Sequence, residues 1–206
     1  MANTVITIAR GYGSGGRTIG KMLSKEMNIP FYDRELIYLA SDDSGINVRL
    51  FSENDESVKR GLFDRSAKYE GKLIPPEDGK FVSKENIFNY QAKIIKELAD
   101  KGDCIIVGRC ADFVLKDSPH KVLKVFVWAP YQDCINTVVE KFSVTASEAD
   151  KTIAQIDKHR MEYYKYYTGQ NWEDVRNYDL CFNTSQHSYE QVVKAVKQYA
   201  EIYKNL

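Results

Sequence analysis

Short apolar runs alternate along the chain with longer segments of mixed polarity. The runs lie at residues 5–9, 30–32, 104–107, 122–129 and 179–183. Their length and their β-branched content are typical of strands. The runs at 104–107 and 122–129 are almost continuously apolar, which indicates central strands covered on both faces. The pattern therefore predicts five strands.

Helical patterns separate these runs. They lie at residues 17–27, 34–40, 83–101 and 131–142, from 146 onward and again after Ser188. Two capping boxes support the last two helices, because Thr145 is followed by Glu148 and Ser188 by Gln191. Strands that alternate with helices are typical of a parallel sheet with right-handed crossovers. We predict an α/β fold of three layers, with a five-stranded, mostly parallel sheet and helices on both faces.

The segment 41–82 has a different character from the rest of the chain. Charged residues, four glycines and two prolines interrupt it, and its apolar residues come mainly in isolated pairs. Such a composition is typical of loops rather than of core elements. At 206 residues the chain is long enough for one substantial domain. We therefore predict a single domain, 1–206, that contains a helical insertion with weak local structure at 41–82.

The charge balance excludes several classes of partner. Lys and Arg total 29 and Asp and Glu total 29, so the formal net charge is zero. A nucleic-acid-binding protein usually carries a basic field, which is missing, and we expect no nucleic-acid partner. No apolar stretch approaches the roughly 18 to 20 residues that span a bilayer, so we expect no membrane partner either. Nothing in the sequence specifies an oligomeric state.

The cysteines do not suggest a metal or disulfide site. Four are present, without a CxxC pair and without clustering beside the three histidines. Zinc sites and disulfide frameworks depend on such spacing, so we predict neither. The chain starts almost directly with a strand and lacks the charged and apolar regions of a leader peptide. We expect a cytoplasmic protein.

A glycine-rich loop follows the first predicted strand. Residues 11–18 read Gly-Tyr-Gly-Ser-Gly-Gly-Arg-Thr, which fits the phosphate-binding pattern G-x-x-x-x-G-K-[ST] except that Arg17 replaces the lysine. Glycines let backbone N–H groups converge on phosphate oxygens, and the following helix directs its positive end at them. The alternative is a tight strand-to-helix turn without a ligand. The residues predicted to bind ATP are Gly11, Gly13, Ser14, Gly15, Gly16, Arg17 and Thr18, with the Thr18 hydroxyl on Mg²⁺.

Three further segments extend this pattern. They are Ile-Pro-Phe-Tyr-Asp-Arg-Glu-Leu at 29–36, Ile-Val-Gly-Arg-Cys-Ala-Asp at 106–112, and the stretch from Asp157 to Leu180. With the glycine loop, they make the chain resemble the cytidylate kinase-like family, relatives of the nucleoside monophosphate kinases. The resemblance implies a P-loop NTPase fold, ATP and Mg²⁺ as cofactors, and CMP or dCMP as the phosphate acceptor. In this family an arginine in the loop is a familiar variant, so Arg17 resembles a subfamily trait.

The resemblance also implies an acceptor site. Asp33 follows the second strand and would hold the water shell of Mg²⁺ or the acceptor, although it could instead cap the next helix. Arg34 would meet an acceptor phosphate, or form an ordinary surface ion pair. Arg109, which follows the buried strand, would contact the monophosphate. Asp112 would recognise the amino group of the base, or would be a solvated helix residue.

A lid is implied at residues 145–178. In kinases of this class such a lid brings cations over the phosphates as it closes, and Lys158 and Arg160 would supply them. The alternative is a charged, solvated helix face. The residues implied in catalysis are Arg17, Asp33, Arg109 and Arg160. They would position the γ-phosphoryl group for in-line transfer and neutralise its charge.

Three other functions compete with this one. The chain could be a P-loop kinase for another small acceptor, since the insertion matches the family least well. It could also be a nucleotide-binding regulatory module without catalysis, which Arg17 and the lack of a pyrimidine-reading motif in the insertion favour. Asp33, Arg109 and the lid cations count against that module, because a pure binder has less reason to keep an acceptor site. A purely structural domain is disfavoured by the intact strand, loop and helix around residues 11–18.

Overall fold

The computed structural model of the chain describes residues 2–56, 69 and 71–204. Its strands are β1 (Thr4–Arg10), β2 (Phe31–Tyr32), β3 (Cys104–Val107), β4 (Lys121–Trp128) and β5 (Leu180–Asn183). Its helices are α1 (Gly16–Met27), α2 (Glu35–Ser44), α3 (Val48–Glu53), α4 (Lys84–Lys101), α5 (Ala111–Val114), α6 (Tyr131–Phe142), α7 (Ala146–Thr168) and α8 (Tyr189–Lys204), with a 3-10 turn at Val175–Asn177.

The five strands form one sheet in the order β2-β3-β1-β4-β5. Every pairing among them is parallel, and β1 lies at the centre, where Val5 is in register with Cys104 of β3 and Val122 of β4. All seven residues of β1 are buried, as expected for a strand that helices cover on both sides. The predicted number of strands and their parallel pairing are confirmed.

Two apolar layers sandwich the sheet. Ile6 and Ile8 of β1 pack with Ile19 of α1 and Val192 of α8 on one face. Val5 lies on the other face, among residues of α2, α4, α5 and α7. Each fully buried aliphatic side chain contributes roughly 1.5 to 3 kcal/mol to folding. The three-layer arrangement is confirmed, and it is the fold of P-loop NTPases.

The segment 41–82 has more structure than its composition predicts. Helix α2 continues to Ser44, and Asn47 caps α3, because its side-chain oxygen accepts a hydrogen bond of 2.9 Å from the N–H of Arg49. Phe51 of α3 is fully buried, and this anchor explains why so short a helix docks. The prediction of weak local structure is therefore wrong for these residues. Positions 57–68 and 70 of the segment lie outside the described residues.

Both predicted capping boxes are present. The side chains of Thr145 and Glu148 each bond the other's backbone N–H at the start of α7, and Ser188 and Gln191 do the same before α8. The tyrosines near the end of α7 are buried rather than solvent-facing. Among the described residues, no helix combines the length and the apolar character needed to cross a bilayer.

Candidate active site

The glycine loop leaves the carboxyl end of β1 and leads directly into α1. Gly13 and Gly15 adopt positive φ angles of 85° and 84°, which glycine reaches without steric cost. The buried Ser14 hydroxyl donates to the carbonyl oxygens of Gly11 at 2.8 Å and Val127 at 3.0 Å, and so fixes the loop to β4. No side chain caps α1, whose first N–H groups are left for a ligand. The loop therefore has the form of an anion-binding site at a helix N-terminus.

The glycines also allow the loop to pack closely. A Cβ atom on Gly13 would lie 2.7 Å from the carbonyl oxygen of Cys134, and one on Gly15 would overlap the ring of Tyr189 in α8. Both contacts are shorter than real Cβ atoms show. Glycine is therefore required here for space as well as for backbone angle.

Gly15→Ala is expected to lower the free energy of unfolding more than Gly45→Ala does. Both positions have left-handed angles, 84° and 73°, but a Cβ on Gly45 would meet nothing within 4 Å. The Gly45 variant should lose about 1 to 2 kcal/mol from the backbone alone, and the Gly15 variant roughly 1 to 3 kcal/mol more from overpacking. Urea unfolding followed by circular dichroism measures both values. Equal losses would show that the Tyr189 ring yields freely.

Asp33 connects the glycine loop to the neighbouring strand. Its carboxylate, only 5% exposed, pairs with Arg17 Nε, and its other oxygen lies 3.4 Å from a terminal nitrogen of Arg109. Arg34, not Asp33, occupies the N-cap position of α2, so the alternative in which Asp33 caps that helix is wrong. Arg34 itself is exposed, and its side chain has neither an ion pair nor a hydrogen bond with another described residue. The structure thus brings Arg17, Asp33 and Arg109 together and leaves Arg34 outside.

Arg109 is held in an unusual backbone turn. Gly108, Arg109 and Cys110 follow β3 with φ angles of 77°, 52° and 54°, and left-handed angles are strained for the last two residues. The guanidinium is 1% exposed, and it donates to Asp55 at 2.8 Å and to the Val107 carbonyl oxygen at 3.3 Å. Its Nε atom is buried and has no hydrogen-bond partner among the described residues. Strain and an unsatisfied donor at one position are typical of a site built for a ligand.

A cluster of charged side chains that the sequence reasoning missed surrounds this turn. Glu56 lies 2.6 Å from a terminal nitrogen of Arg10 and 3.2 Å from Arg160 Nε, and it accepts the backbone N–H of Arg109 at 3.1 Å. These arginines depress the pKa of Glu56 against the opposing effect of burial. Of the residues missed here, only Arg10 could have been found from the sequence, because it is a cation at the end of an apolar strand directly before the glycine loop.

Helix α7 contacts the glycine loop directly. Asp157 accepts the Tyr12 N–H at 2.9 and 3.1 Å, and Arg160 donates to the Arg10 carbonyl oxygen at 3.0 Å. Burial is the main influence on both groups, raising the pKa of Asp157 and lowering that of Arg160. Lys158 is exposed and makes no ion pair with a described residue. Of the two predicted lid cations, only Arg160 therefore turns toward the site.

Asp112 lies at the end of a small cavity. It is buried, it accepts a hydrogen bond of 2.6 Å from the Tyr164 hydroxyl, and burial raises its pKa. The alternative of a solvated helix residue is therefore wrong. The cavity, about 20 Å³, is lined by Glu56, Arg109, Asp112, Tyr163, Tyr164 and Trp172, among others. It places a buried carboxylate and a guanidinium on the same enclosed space.

Thr18 lies in the first turn of α1 and is partly exposed. Its hydroxyl makes no hydrogen bond with a described residue. The oxygen lies at the helix end where phosphates bind, and an oxygen ligand of this kind suits Mg²⁺. The loop therefore offers one free oxygen for the predicted metal.

The fold agrees with known structures. A protein from Eubacterium ventriosum superposes with a TM-score of 0.70 at 24% identity, over 96% of this chain and 98% of that one. Shikimate kinase from Bacteroides thetaiotaomicron gives a TM-score of 0.53 at 15% identity, over 97% and 99% of the two chains. These likenesses show the fold of P-loop kinases.

Sequence comparison gives the family. A cytidylate kinase from Pyrococcus horikoshii is 25% identical over 194 residues, which cover 94% of this chain and 86% of the archaeal protein. A second cytidylate kinase, from Methanopyrus kandleri, is 28% identical over 109 residues, or 50% of this chain and 56% of the relative. The model of the cytidylate kinase-like family matches residues 5–186. The chain, whose glycine loop and buried arginines lie at one edge of a parallel sheet, therefore belongs to the cytidylate kinase-like family.

Proposed function

We propose that this protein transfers the γ-phosphoryl group of ATP to a nucleoside monophosphate, with CMP or dCMP as the acceptor. The observation that carries the proposal is the position of two anion sites at one sheet edge. The glycine loop follows β1 and the Arg109 turn follows β3, and the Gly108 N–H donates to the Ile8 carbonyl oxygen at 3.0 Å. Ligands of open α/β sheets bind at the carboxyl ends of strands, where these two loops lie side by side.

The glycine loop is the proposed ATP site. Its N–H groups and the end of α1 suit the β- and γ-phosphates, and Arg17 supplies a cation where the common pattern has lysine. Thr18 would hold Mg²⁺, which neutralises charge on the phosphate oxygens when it is bound. Arginine keeps the charge of lysine and adds a planar fork suited to two phosphate oxygens. Asp33 orients that fork through its pairing with Arg17 Nε.

The Arg109 turn and the residues that line the adjoining cavity are the proposed acceptor site, and this cavity of about 20 Å³, which has room for about one water molecule, would have to open to admit a base. Arg109 and Arg160 would bind the acceptor phosphate, and Asp112 would accept a hydrogen bond from the exocyclic amino group of cytosine, the interaction that carboxylates make with that group. Tyr163, Tyr164 and Trp172 would enclose the base. Lys158 and Arg34, both exposed, remain predictions for contacts made only with ligands bound.

The proposed chemistry requires no covalent intermediate. The site would hold donor and acceptor in line and stabilise the charge on the transferring group with guanidinium groups. Enclosure by α7 would keep water from competing with the acceptor.

The test is a coupled assay of ADP release with Mg·ATP against a panel of nucleoside monophosphates, applied to the wild type, Asp112→Asn and Asp117→Asn. We expect CMP-dependent ADP release. Asp112→Asn should lower kcat/KM for CMP by about tenfold to a hundredfold, with a smaller loss for UMP, because the amide can no longer accept as a charged group. Asp117 is highly exposed and serves as the matched control, which we expect to leave kcat/KM unchanged.

The other outcomes identify the competing functions. Turnover with an acceptor other than CMP would make the chain a P-loop kinase of different specificity. ATP binding without turnover of any acceptor would overturn the proposal in favour of a regulatory nucleotide-binding module. Equal losses for CMP and UMP in Asp112→Asn would remove Asp112 from base recognition.

A further inference from the structure

Glu56 sits in a pocket that is built for an anion. Its carboxylate contacts the Arg10 and Arg160 side chains and the Arg109 N–H, three donors that come from β1, α7 and the turn after β3. A Cβ on Gly108 would collide with Glu56 Oε1, so the glycine leaves the space in which the carboxylate lies. Backbone N–H groups in turns can form concavities that bind anions, and here the N–H of Arg109 in the turn after β3 points at the carboxylate.

Asp55 completes this arrangement beside Glu56. Its carboxylate accepts a hydrogen bond of 2.8 Å from the Arg109 guanidinium, which is the group proposed to bind the acceptor phosphate. Asp55 and Glu56, which are consecutive in the chain, thus occupy the hydrogen-bond donors that a phosphate would need. A phosphate carries a similar charge on more oxygens, and arginine pairs with either anion in the same forked geometry.

Each arginine of the cluster already has a carboxylate partner without a ligand. Among the described residues, Arg10, Arg17, Arg109 and Arg160 face the carboxylates of Asp33, Asp55, Glu56 and Asp157. A phosphate that joined these residues would meet arginines that already have carboxylate partners, and its added negative charge would be unfavourable beside them. A phosphate can therefore enter only if a carboxylate leaves.

The fit of the carboxylates is also imperfect. Asp55 Oδ1 and Arg109 Nε are buried without hydrogen-bond partners among the described residues, and Glu56 holds a strained φ of 48°. A purely structural ion-pair network would be expected to satisfy its buried atoms. Unsatisfied atoms and strain are expected when a carboxylate occupies a site whose geometry suits a phosphate.

We propose that Glu56, assisted by Asp55, occupies the acceptor's phosphate site in the free protein and is displaced when a nucleoside monophosphate binds. This inference rests on the proposed function, and it identifies a self-inhibiting contact at that same site. Only molecules in which Glu56 has left the site can bind the acceptor. The apparent affinity is therefore the intrinsic affinity multiplied by the fraction of such molecules. Displacement also favours ligands that carry a phosphate, because only a phosphate can replace the carboxylate on these donors.

The test uses isothermal titration calorimetry of CMP, cytidine and inorganic phosphate into the wild type, Glu56→Gln and Glu53→Gln. Glu56→Gln should bind CMP and phosphate roughly tenfold more tightly, because the competing charge is gone. Cytidine has no phosphate, so its affinity should not change. Glu53 lies three residues earlier, its side chain is 47% exposed, and Glu53→Gln matches the loss of charge. Glu56→Asp, with a shorter carboxylate, should fall between the wild type and Glu56→Gln, and it serves if Glu56→Gln does not fold.

Unchanged or weaker binding of CMP and phosphate by folded Glu56 variants would overturn the inference and leave Glu56 a structural ion-pair partner. The experiment separates this failure from failure of the proposed function. Tighter phosphate binding in Glu56→Gln, without phosphorylation of any acceptor in the coupled assay, would support the occupied anion site and reject the kinase. CMP turnover without an affinity change in the Glu56 variants would support the kinase and reject the inference about Glu56.

Discussion

Replacing Arg17 with alanine is expected to lower kcat for CMP phosphorylation by about a hundredfold to a thousandfold, the effect of removing one preorganised donor from a transition state. Arg17 lies on the first turn of α1, at the position where the common pattern places a catalytic lysine. Asp33 fixes its Nε, so the guanidinium is oriented before substrate arrives. Its side chain is 49% exposed, and the loss of folding stability should be no more than about 1 kcal/mol.

Single-turnover and steady-state assays with Mg·ATP and CMP measure this loss, and thermal unfolding verifies the fold. Lys21→Ala is the matched control, because it removes a cation from the exposed face of α1 one turn further along. Arg17→Lys should retain part of kcat, since it keeps the charge but loses the fork. If Arg17→Ala turned over as fast as Lys21→Ala, Arg17 would only position Asp33.

The fold could be predicted largely from the sequence because its determinants are local. Apolar runs at 104–107 and 122–129 are too continuous for exposed strands, and the capping boxes at Thr145 and Ser188 mark helix starts within four residues. Each signal is contained in a short window, and the parallel sheet follows from their alternation.

The segment 41–82 was harder to predict because remote contacts hold it. Asn86 of α4 is fully buried and binds the backbone of Ile74 and Phe81, so a loop with little apolar content is fixed by hydrogen bonds. Phe51 anchors α3 in the same way, through a core whose other members lie far along the chain. The composition of the segment does not reveal such contacts between distant residues.

The candidate site likewise combines residues that a local motif reveals with residues that only the fold brings together. The glycine loop is a contiguous motif and was predicted, as were Asp33 and Arg109 at the ends of strands. The pairing of Arg10 with Glu56 spans 46 residues and that of Arg160 with Glu56 spans 104, and only the folded chain brings them together. For the same reason the sequence could not distinguish a solvated Asp112 from the buried one, or separate inward Arg160 from exposed Lys158.

The charged cluster also explains why Arg109 should matter for folding. Burying ions removes their hydration, and the attraction between partners offsets that loss only when each ion keeps its partner. Here Asp33 and Asp55 are paired with an arginine that is 1% exposed. The stability of the candidate site therefore depends on the balance of its own charges.

Replacing Arg109 with methionine, which fills similar space without charge, is expected to lower the free energy of unfolding by about 3 to 5 kcal/mol, because it leaves the Asp55 carboxylate without its arginine and Asp33 with Arg17 alone. Arg49→Met is the matched control: Arg49 pairs with Glu53 on the surface, is 84% exposed, and should change stability by no more than about 0.5 kcal/mol. Chemical denaturation of both variants measures the difference.

A double-mutant cycle identifies the cause of the loss. In Arg109→Met/Asp55→Asn the unpaired charge is gone, so the double variant should be more stable than the sum of the single losses predicts, by about 0.5 to 3 kcal/mol. Burial already raises the pKa of Asp55, and losing Arg109 removes an interaction that lowers it. Asp55 in Arg109→Met then binds a proton more readily folded than unfolded, so the penalty should shrink as the pH falls. A penalty independent of pH and additive with Asp55→Asn would show that packing, not charge, makes Arg109 indispensable.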